Sequence, residues 1–167
     1  MVLIRQVTAA DAQAIADTYN YYIEQTTISF EEQLVTAADI SKRIQKTQDA
    51  GFTWLVAEEE GELVGYAYTS SWKERAAYKH TIEVSVYLAN GSSSRGIGRQ
   101  LYEALFASFE QSSVHVVMAV IALPNPASIA LHEKFGMKKV AHFTEVGKKF
   151  DRWIDVGYWQ LQLNTEN

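Results

Sequence analysis

Residues 91–99 combine small side chains with two arginines, Arg95 and Arg99, immediately after a predicted strand. Glycine and serine let backbone N–H groups approach a ligand, and the helix N-terminus that follows carries partial positive charge. The combination is suited to a pyrophosphate. A Walker A loop is excluded because Ile97 stands where its lysine would be, and a dinucleotide fingerprint is excluded because Leu101 replaces its third glycine. A flexible loop before a helix is the alternative.

A single glutamate, Glu83, interrupts an apolar, β-branched strand predicted over residues 81–88. Alternation with period two places Glu83, Ser85 and Tyr87 on one face of this strand. A carboxylate near a buried sheet centre has a raised pKa and can serve as a general base. The strand taken alone favours a solvent-facing glutamate on a half-exposed sheet.

A helix is predicted over residues 125–135, because Asn125 suits its N-cap and a glycine follows its end. Ser128 and His132 share one face of this helix, so His132 could point at a ligand lying along it. An ordinary structural helix explains the same residues.

A cationic and aromatic cluster over residues 72–78 lies just before the Glu83 strand and includes Lys73, Arg75 and Tyr78. Arginine pairs bidentately with carboxylates and phosphoryl-type oxygens, so the cluster is suited to an anionic small molecule. The alternative is a solvated loop with packed aromatic rings.

The elements that must position these residues follow from hydrophobic periodicity. In chain order they are a strand (2–7), two helices (11–24 and 36–48), three strands (52–57, 63–69 and 81–88), a helix (98–109), a strand (115–122), a helix (125–135) and two strands within 138–163, divided near 148–151. This order predicts a mixed α/β sheet with helices on both faces.

Composition narrows the classes of function. The length of 167 residues predicts one domain, residues 1–167. The absence of cysteine excludes disulfides, thiolate nucleophiles and iron–sulfur clusters, and it fits a cytoplasmic protein. A formal net charge of −5 argues against a nucleic-acid partner, and no apolar run is long enough to predict a membrane span.

Together and in this order, the segments resemble the GNAT superfamily of N-acetyltransferases over nearly the whole chain. The strand, glycine loop and helix at 82–109 resemble its acetyl-CoA pyrophosphate motif, and the helix that begins at Asn125 resembles its second cofactor motif. The segments similar to phosphinothricin and methionine sulfoximine acetyltransferases are residues 28–31, 71–78, 82–87, 123–125 and 155–161. The resemblance implies a mostly antiparallel sheet, with the cofactor at a splayed pair of parallel strands, and a homodimer.

The resemblance also implies direct acetyl transfer from acetyl-CoA to an amine, without a metal. Glu83 would be the general base and His132 the acid for the leaving thiolate. Phe30, Arg75 and Tyr78 would shape the acceptor pocket, with Arg75 on the acid group. The residues that would hold acetyl-CoA are Val86, Leu88, Ser94, Arg95, Gly96, Gly98, Arg99, Asn125 and Ser128.

One position departs from the superfamily pattern, because Ser93 stands where the pyrophosphate motif usually begins with glutamine or arginine. The loss of one neutral hydrogen bond would weaken cofactor binding by ~1 kcal/mol. The expected acceptor is the α-amine of a small amino acid or amino-acid analogue. The alternatives are a peptide or protein N-terminus, a polyamine, or a non-catalytic module that only binds acetyl-CoA.

Overall fold

The computed structural model describes residues 1–163, which form seven strands and four α-helices. In chain order these are β1 (Leu3–Gln6), α1 (Ala12–Gln25), α2 (Ala37–Asp49), β2 (Trp54–Glu59), β3 (Glu62–Ser71), β4 (Thr81–Leu88), α3 (Ile97–Phe109), β5 (Val116–Ala122), α4 (Pro126–Lys134), β6 (Lys138–Lys149) and β7 (Arg152–Gln162). Every predicted element is present, and two short 3-10 turns, Ala9–Asp11 and Ala76–Tyr78, are additional. None of the described helices is both long and apolar enough to cross a membrane.

The strands form a sheet in the order β1-β2-β3-β4-β5-β7-β6. The β1–β2, β2–β3, β5–β7 and β6–β7 pairs are antiparallel. The β4–β5 pair is parallel, and its ladder joins Thr81, Ile82 and Glu83 to residues 116–118. The structure thus confirms a mixed, mostly antiparallel sheet that contains a parallel pair.

The chain divides into two compact units, and the boundaries between them fall within α1, β3 and β4. The first unit comprises residues 1–21, 34–70 and 84–112. The second comprises residues 22–33, 71–83 and, within the described part of the chain, 113–163.

In the first unit, helices cover both faces of the strands. The ring of Tyr19 on α1 meets the ring of Tyr87 on β4 edge to face, with centroids 5.2 Å apart. Leu88, the next residue of β4, points to the opposite face. On that face a Cβ added to Gly65 would lie 2.8 Å from Leu88 and 3.3 Å from Leu101 of α3. The absence of a side chain at Gly65 therefore lets α3 pack closely.

In the second unit, α4 covers one face of the strands, where Trp159 of β7 donates its indole N–H to Glu133 at 3.4 Å. Directly paired residues point to the same face of a sheet. Glu83 pairs with Met118, and Met118 pairs with Gln160, so Gln160 lies on the same face as Glu83. By alternation along β7, Tyr158 also lies on this face and Trp159 lies on the opposite one. We call the surface with Glu83, Gln160 and Tyr158 the Glu83 face.

An ion-pair network fixes the start of the chain to β2 in the first unit. The Arg5 guanidinium donates to both carboxylate oxygens of Asp11, at 2.8 and 2.9 Å, and to Glu58 at 2.9 Å. Asp11 also accepts from the backbone N–H of Thr8 at 2.7 Å, which closes the capping box before α1. The hydrogen bonds from Arg5 lower the pKa of Asp11, although burial opposes the shift.

We predict that Arg5→Met lowers the free energy of unfolding by about 2 kcal/mol at pH 7, because charged hydrogen bonds are lost. A carboxyl with a depressed pKa in the fold stabilises above its unfolded pKa, and this contribution disappears as pH falls through the folded pKa. Urea unfolding at pH 7 and pH 3 should therefore show a smaller difference at pH 3. Lys148→Met, which removes an exposed cation 4.0 Å from Asp151, is the control and should cost under about 1 kcal/mol at both values. An equal Arg5 effect at both pH values would contradict this account.

Candidate active site

Glu83 lies on β4 between Ile82 and Val84, both buried, and its own side chain is partly buried. The apolar neighbours follow from strand alternation, which turns them to the packed face and Glu83 to the other. Burial raises the pKa of Glu83 above its ordinary value. The fold therefore provides a carboxylate with increased basicity rather than a fully solvated one.

Aromatic side chains line the Glu83 face. The Tyr158 ring meets Trp72 edge to face with centroids 5.3 Å apart, and it meets Phe143 in the same way at 5.0 Å. Phe143 is 42% exposed, so this aromatic group is not a sealed core. Alternation along β7 is the sequence signal that separates Tyr158, on the Glu83 face, from buried Trp159.

Arg75 and Tyr78 are held together by one 3-10 turn, in which Tyr78 N–H donates to the Arg75 carbonyl at 2.9 Å. Both side chains are exposed. Across residues 1–163, no carboxylate forms an ion pair with Arg75. The neighbouring cation of Lys73 lies over the Trp72 ring, 5.3 Å from its centroid. The turn thus presents a guanidinium that can take an anion.

Phe30 is 44% exposed and packs against the backbone of Gly147 on β6. A Cβ at Gly147 would collide with the Phe30 ring, so glycine is what admits the ring at this point. Gly147 pairs with Ile154, which lies four residues before Tyr158 on β7. Residues an even number apart on a strand point to the same face, so Gly147 and Ile154 face the same side as Tyr158. Phe30 therefore lies over the Glu83 face, as an acceptor-pocket residue would.

The glycine loop lies in the first unit, between β4 and α3. Gly91, Ser94 and Gly96 all have positive φ, at 85°, 64° and 76°. Gly96 caps α3, whose first N–H groups have no partner within the helix by geometry. A Cβ added to Gly91 or Gly96 would meet no atom within 4 Å, so the loop backbone is open to a ligand. This donor set fits the pyrophosphate of a CoA thioester.

The two arginines of this loop already have carboxylate partners. Arg95 donates to Glu59 at 2.5 Å, and Arg99 donates to Glu103 at 2.7 Å. Their side chains are nevertheless 46% and 66% exposed. A guanidinium has five N–H donors, so each arginine can hold its carboxylate and still reach a phosphate. Val86, Leu88 and Gly98 flank the loop on β4 and in the first turn of α3.

On α4, the predicted cofactor residues have structural contacts of their own. Asn125 caps the helix by accepting from the Ser128 N–H at 3.2 Å. His132 is 4% exposed, and its Nδ1 lies 2.7 Å from the Ser128 carbonyl and 3.3 Å from the Ser128 hydroxyl. A carbonyl only accepts, so Nδ1 carries the proton. Burial lowers the pKa of His132, which favours the neutral ring with a lone pair on Nε2.

The structure groups these residues by unit. Glu83, His132, Phe30, Arg75 and Tyr78 belong to the second unit, together with the α4 cap residues, whereas the glycine loop belongs to the first. Sequence reasoning missed one feature of the second unit, a lysine on β6 that is almost fully buried. Two adjacent lysines occur there, and their residue types do not reveal which one is buried.

Comparison with known proteins gives a consistent result. The family model described as "Acetyltransferase (GNAT) domain" matches residues 4–157. The chain is 40% identical to the phosphinothricin N-acetyltransferase of Streptomyces viridochromogenes, over 95% of this chain and 86% of that protein. It is 34% identical to the L-methionine sulfoximine/L-methionine sulfone acetyltransferase of Salmonella typhimurium, over 96% and 94%. The crystal structure of a phosphinothricin acetyltransferase from Sinorhizobium meliloti with acetyl-CoA matches with a TM-score of 0.93 and 30% identity, over 97% of this chain and 88% of that one.

We predict that Glu83→Gln raises the free energy of unfolding at pH 7 by about 1 kcal/mol, within the range of stabilising single-site changes. A carboxyl with a raised folded pKa stabilises only below its unfolded pKa, and this contribution disappears as pH rises through the folded pKa. Ionised Glu83 therefore disfavours the fold at neutral pH, and the gain should vanish near pH 4. Urea unfolding at both pH values measures it, with exposed Glu110→Gln as the control. A loss of stability at pH 7 would show that Glu83 has a stabilising partner instead.

Proposed function

This chain belongs to the GNAT family and is an acetyl-CoA-dependent N-acetyltransferase, and on that premise we propose that its acceptor is the α-amine of a small anionic amino acid. Phosphinothricin and methionine sulfoximine represent this class of acceptor, and the anionic group they share is the α-carboxylate. The observation that carries the proposal is the exposed guanidinium of Arg75, which has no carboxylate partner among residues 1–163. It lies in the segment that leads directly into the Glu83 strand.

Acetyl-CoA, when bound, supplies a thioester carbonyl that an amine can attack. We propose that Ser94, Arg95, Gly96, Gly98 and Arg99 hold its pyrophosphate through the α3 N-terminus and the two guanidinium groups. Ser93 contributes no long side chain here, and the N–H groups of the helix start compensate. The backbone amides of Val86 and Leu88 are proposed to hold the acetyl carbonyl and the pantetheine. Asn125, the N-cap of α4, and Ser128 are proposed to contact the pantetheine arm.

Glu83 is proposed to make the acceptor nucleophilic. An α-ammonium has no lone pair, so the Glu83 carboxylate removes one proton through an intervening water. When acetyl-CoA is bound, the neutral nitrogen would attack its carbonyl carbon and form the N–C bond. The nitrogen would then lose its second proton to solvent, and the C–S bond would break with its electron pair on sulfur. Burial supports this role, because a carboxylate whose pKa is raised is a stronger base.

His132 is proposed as the acid that protonates the leaving thiolate. Because Nδ1 donates to the Ser128 carbonyl, the transferred proton would come from Nε2. Only the imidazolium can give that proton, and the lowered pKa of His132 confines the imidazolium to acidic conditions. Acid catalysis by His132 should therefore matter most at low pH, where the imidazolium is present.

On the acceptor side, Arg75 is proposed to bind the acid group while Phe30 and Tyr78 enclose the side chain. The aromatic rings of Trp72, Phe143 and Tyr158 on the Glu83 face support a compact, partly apolar acceptor. A polyamine is less favoured, because Arg75 would repel a polycation. A peptide N-terminus is the second candidate. A homodimer and a cytoplasmic location are further proposals that rest on the family resemblance.

The acceptor is tested by following thiol release from acetyl-CoA in the presence of single amines. We expect kcat/KM for phosphinothricin or methionine sulfoximine to exceed that for spermidine or an alanyl peptide at least ~100-fold, a discrimination typical of a paired polar site. Turnover of the polyamine or peptide, without turnover of the amino-acid analogues, would overturn the proposed acceptor.

Within the same assay, Arg75→Ala should raise KM for the anionic acceptor ~10- to 100-fold, as expected when a charged hydrogen bond is lost. The KM for acetyl-CoA should change less than about twofold. Lys79→Ala, which removes an exposed cation next to the same turn, is the matched control. Equal rises in both KM values would remove Arg75 from the acceptor pocket.

We predict that His132→Gln lowers kcat ~10-fold at pH 6 and only about twofold at pH 8.5, because general-acid catalysis requires the protonated ring. Steady-state rates at saturating substrates across this range measure the effect. If the loss is instead equal at both pH values, or larger at pH 8.5, His132 acts through its neutral form as a proton acceptor.

A further inference from the structure

Lys149, at the end of β6, is a lysine whose charge is buried. Its side chain is only 3% exposed. The ammonium donates to the backbone carbonyls of Ser29 at 2.6 Å and Thr26 at 2.8 Å, and it lies 3.5 Å from the carbonyl of Tyr22. An ammonium has three N–H donors, and three carbonyls surround it. Its donors are therefore directed at these backbone carbonyls, within residues 22–29, rather than at a ligand.

The adjacent lysine provides an internal contrast. The Lys148 side chain is 50% exposed, and its ammonium lies 4.0 Å from Asp151. Successive residues of a strand point to opposite faces, so only one of the two lysines can turn to the Glu83 face. Lys149 pairs with Arg152, as Gly147 pairs with Ile154 and Phe143 with Val156. These three β6 residues therefore point to the same face, which is the Glu83 face. Burying its charge costs free energy unless hydrogen bonds compensate, which the three carbonyls do.

The loop that Lys149 binds connects the end of α1 to Phe30. Side-chain hydrogen bonds shape this loop locally, since the Thr26 hydroxyl donates to the Tyr22 carbonyl at 2.8 Å and Glu31 N–H donates to the Ser29 hydroxyl at 3.2 Å. These bonds connect residues within four positions of one another. The ammonium of Lys149 instead ties the loop to the sheet across more than a hundred residues of sequence.

Phe30 follows the last carbonyl that Lys149 binds, and its ring lies on Gly147, two residues before Lys149 on the same strand. The loop is thus attached to β6 at two adjacent points, one polar and one apolar. The polar attachment fixes the backbone on either side of residue 29, and the apolar attachment seats the ring. Together they determine where Phe30 lies over the Glu83 face.

We propose that Lys149 is a positioning residue for the acceptor site, which acts by holding the 26–30 loop so that Phe30 encloses the acceptor. The proposal rests on the proposed function, in which Phe30 lines the acceptor pocket. It makes Lys149 a determinant of acceptor affinity that touches neither the acceptor nor acetyl-CoA. A buried cation is suited to this role because it binds several carbonyls at once.

The test is Lys149→Met, which keeps the length and apolar stem but removes the ammonium. We expect KM for the anionic acceptor to rise ~10-fold, the scale of one lost charged hydrogen bond, with KM for acetyl-CoA changed less than about twofold. Lys148→Met is the matched control, and both KM values should stay within about twofold of the wild type. Equal rises in both KM values for Lys149→Met would mean a merely structural lysine and overturn the proposal.

Chemical rescue sharpens the test, because the chain has no cysteine. Lys149→Cys should show the same rise in acceptor KM. Treatment of the unfolded variant with 2-bromoethylamine, followed by refolding, restores an ammonium at nearly the original length and should restore the acceptor KM. Wild type taken through the same treatment is the control. Aminoethylated protein that folds but keeps the raised KM would overturn the proposal.

Gly147→Ala tests the apolar attachment if the Lys149 variants do not fold. The new methyl group would displace the Phe30 ring while the Lys149 hydrogen bonds remain. The acceptor KM should again rise while the acetyl-CoA KM stays within about twofold. An unchanged acceptor KM here would show that the position of Phe30 does not matter, and would contradict the proposal.

Hydrogen exchange separates this proposal from the proposed function. In Lys149→Met, amides of residues 26–31 should exchange faster while those of β7 stay unchanged, because only the loop loses its attachment. If the wild type acetylates none of the anionic amino acids, the proposed function fails, and the exchange result still reports on the attachment. If the wild type is active and loop exchange does not change, the Lys149 proposal alone fails.

Discussion

The proposed chemistry depends on keeping one carboxylate partly out of water. Glu83 must be ionised to accept a proton, yet burial raises its pKa and makes its charged form unfavourable in the fold. The alternation of side chains along β4 meets both requirements. Ile82 and Val84 pack into the core, whereas Glu83 lies on the opposite face, which aromatic side chains line. A free-energy cost at a functional site is then offset by the apolar burial around it.

Four cations of this acidic chain are held in three different ways. Arg95 and Arg99 are exposed but paired with carboxylates, which orient their side chains. Arg75 is exposed, and no ion pair restrains it among residues 1–163. Lys149 is buried and bound to backbone carbonyls. The net charge of −5 gives no information about these local environments. Each cation acts on partners that lie closer than the Debye length, so its neighbours matter more than the total charge.

Local patterns predicted most of the fold and the residue types of the candidate site. The alternation in β4, the glycine loop before α3 and the Asn125 cap of α4 are all readable within a few residues, and the structure contains each of them. The hydrogen-bond and ion-pair partners of the site residues could not be predicted from the sequence. Nothing in the sequence indicates that Glu59 pairs with Arg95, or that the His132 ring donates to the Ser128 carbonyl rather than to a ligand.

The sequence by itself determined the elements, the glycine loop and the family resemblance, because periodicity, capping and turn chemistry are local. It could not distinguish Lys148 from Lys149, which are adjacent and chemically identical. The tertiary structure decided between them, since strand register turns Lys149 toward a loop whose carbonyls lie 120 to 127 positions away in sequence. Burial of a charge is determined by its surroundings, and those surroundings come from distant parts of the chain.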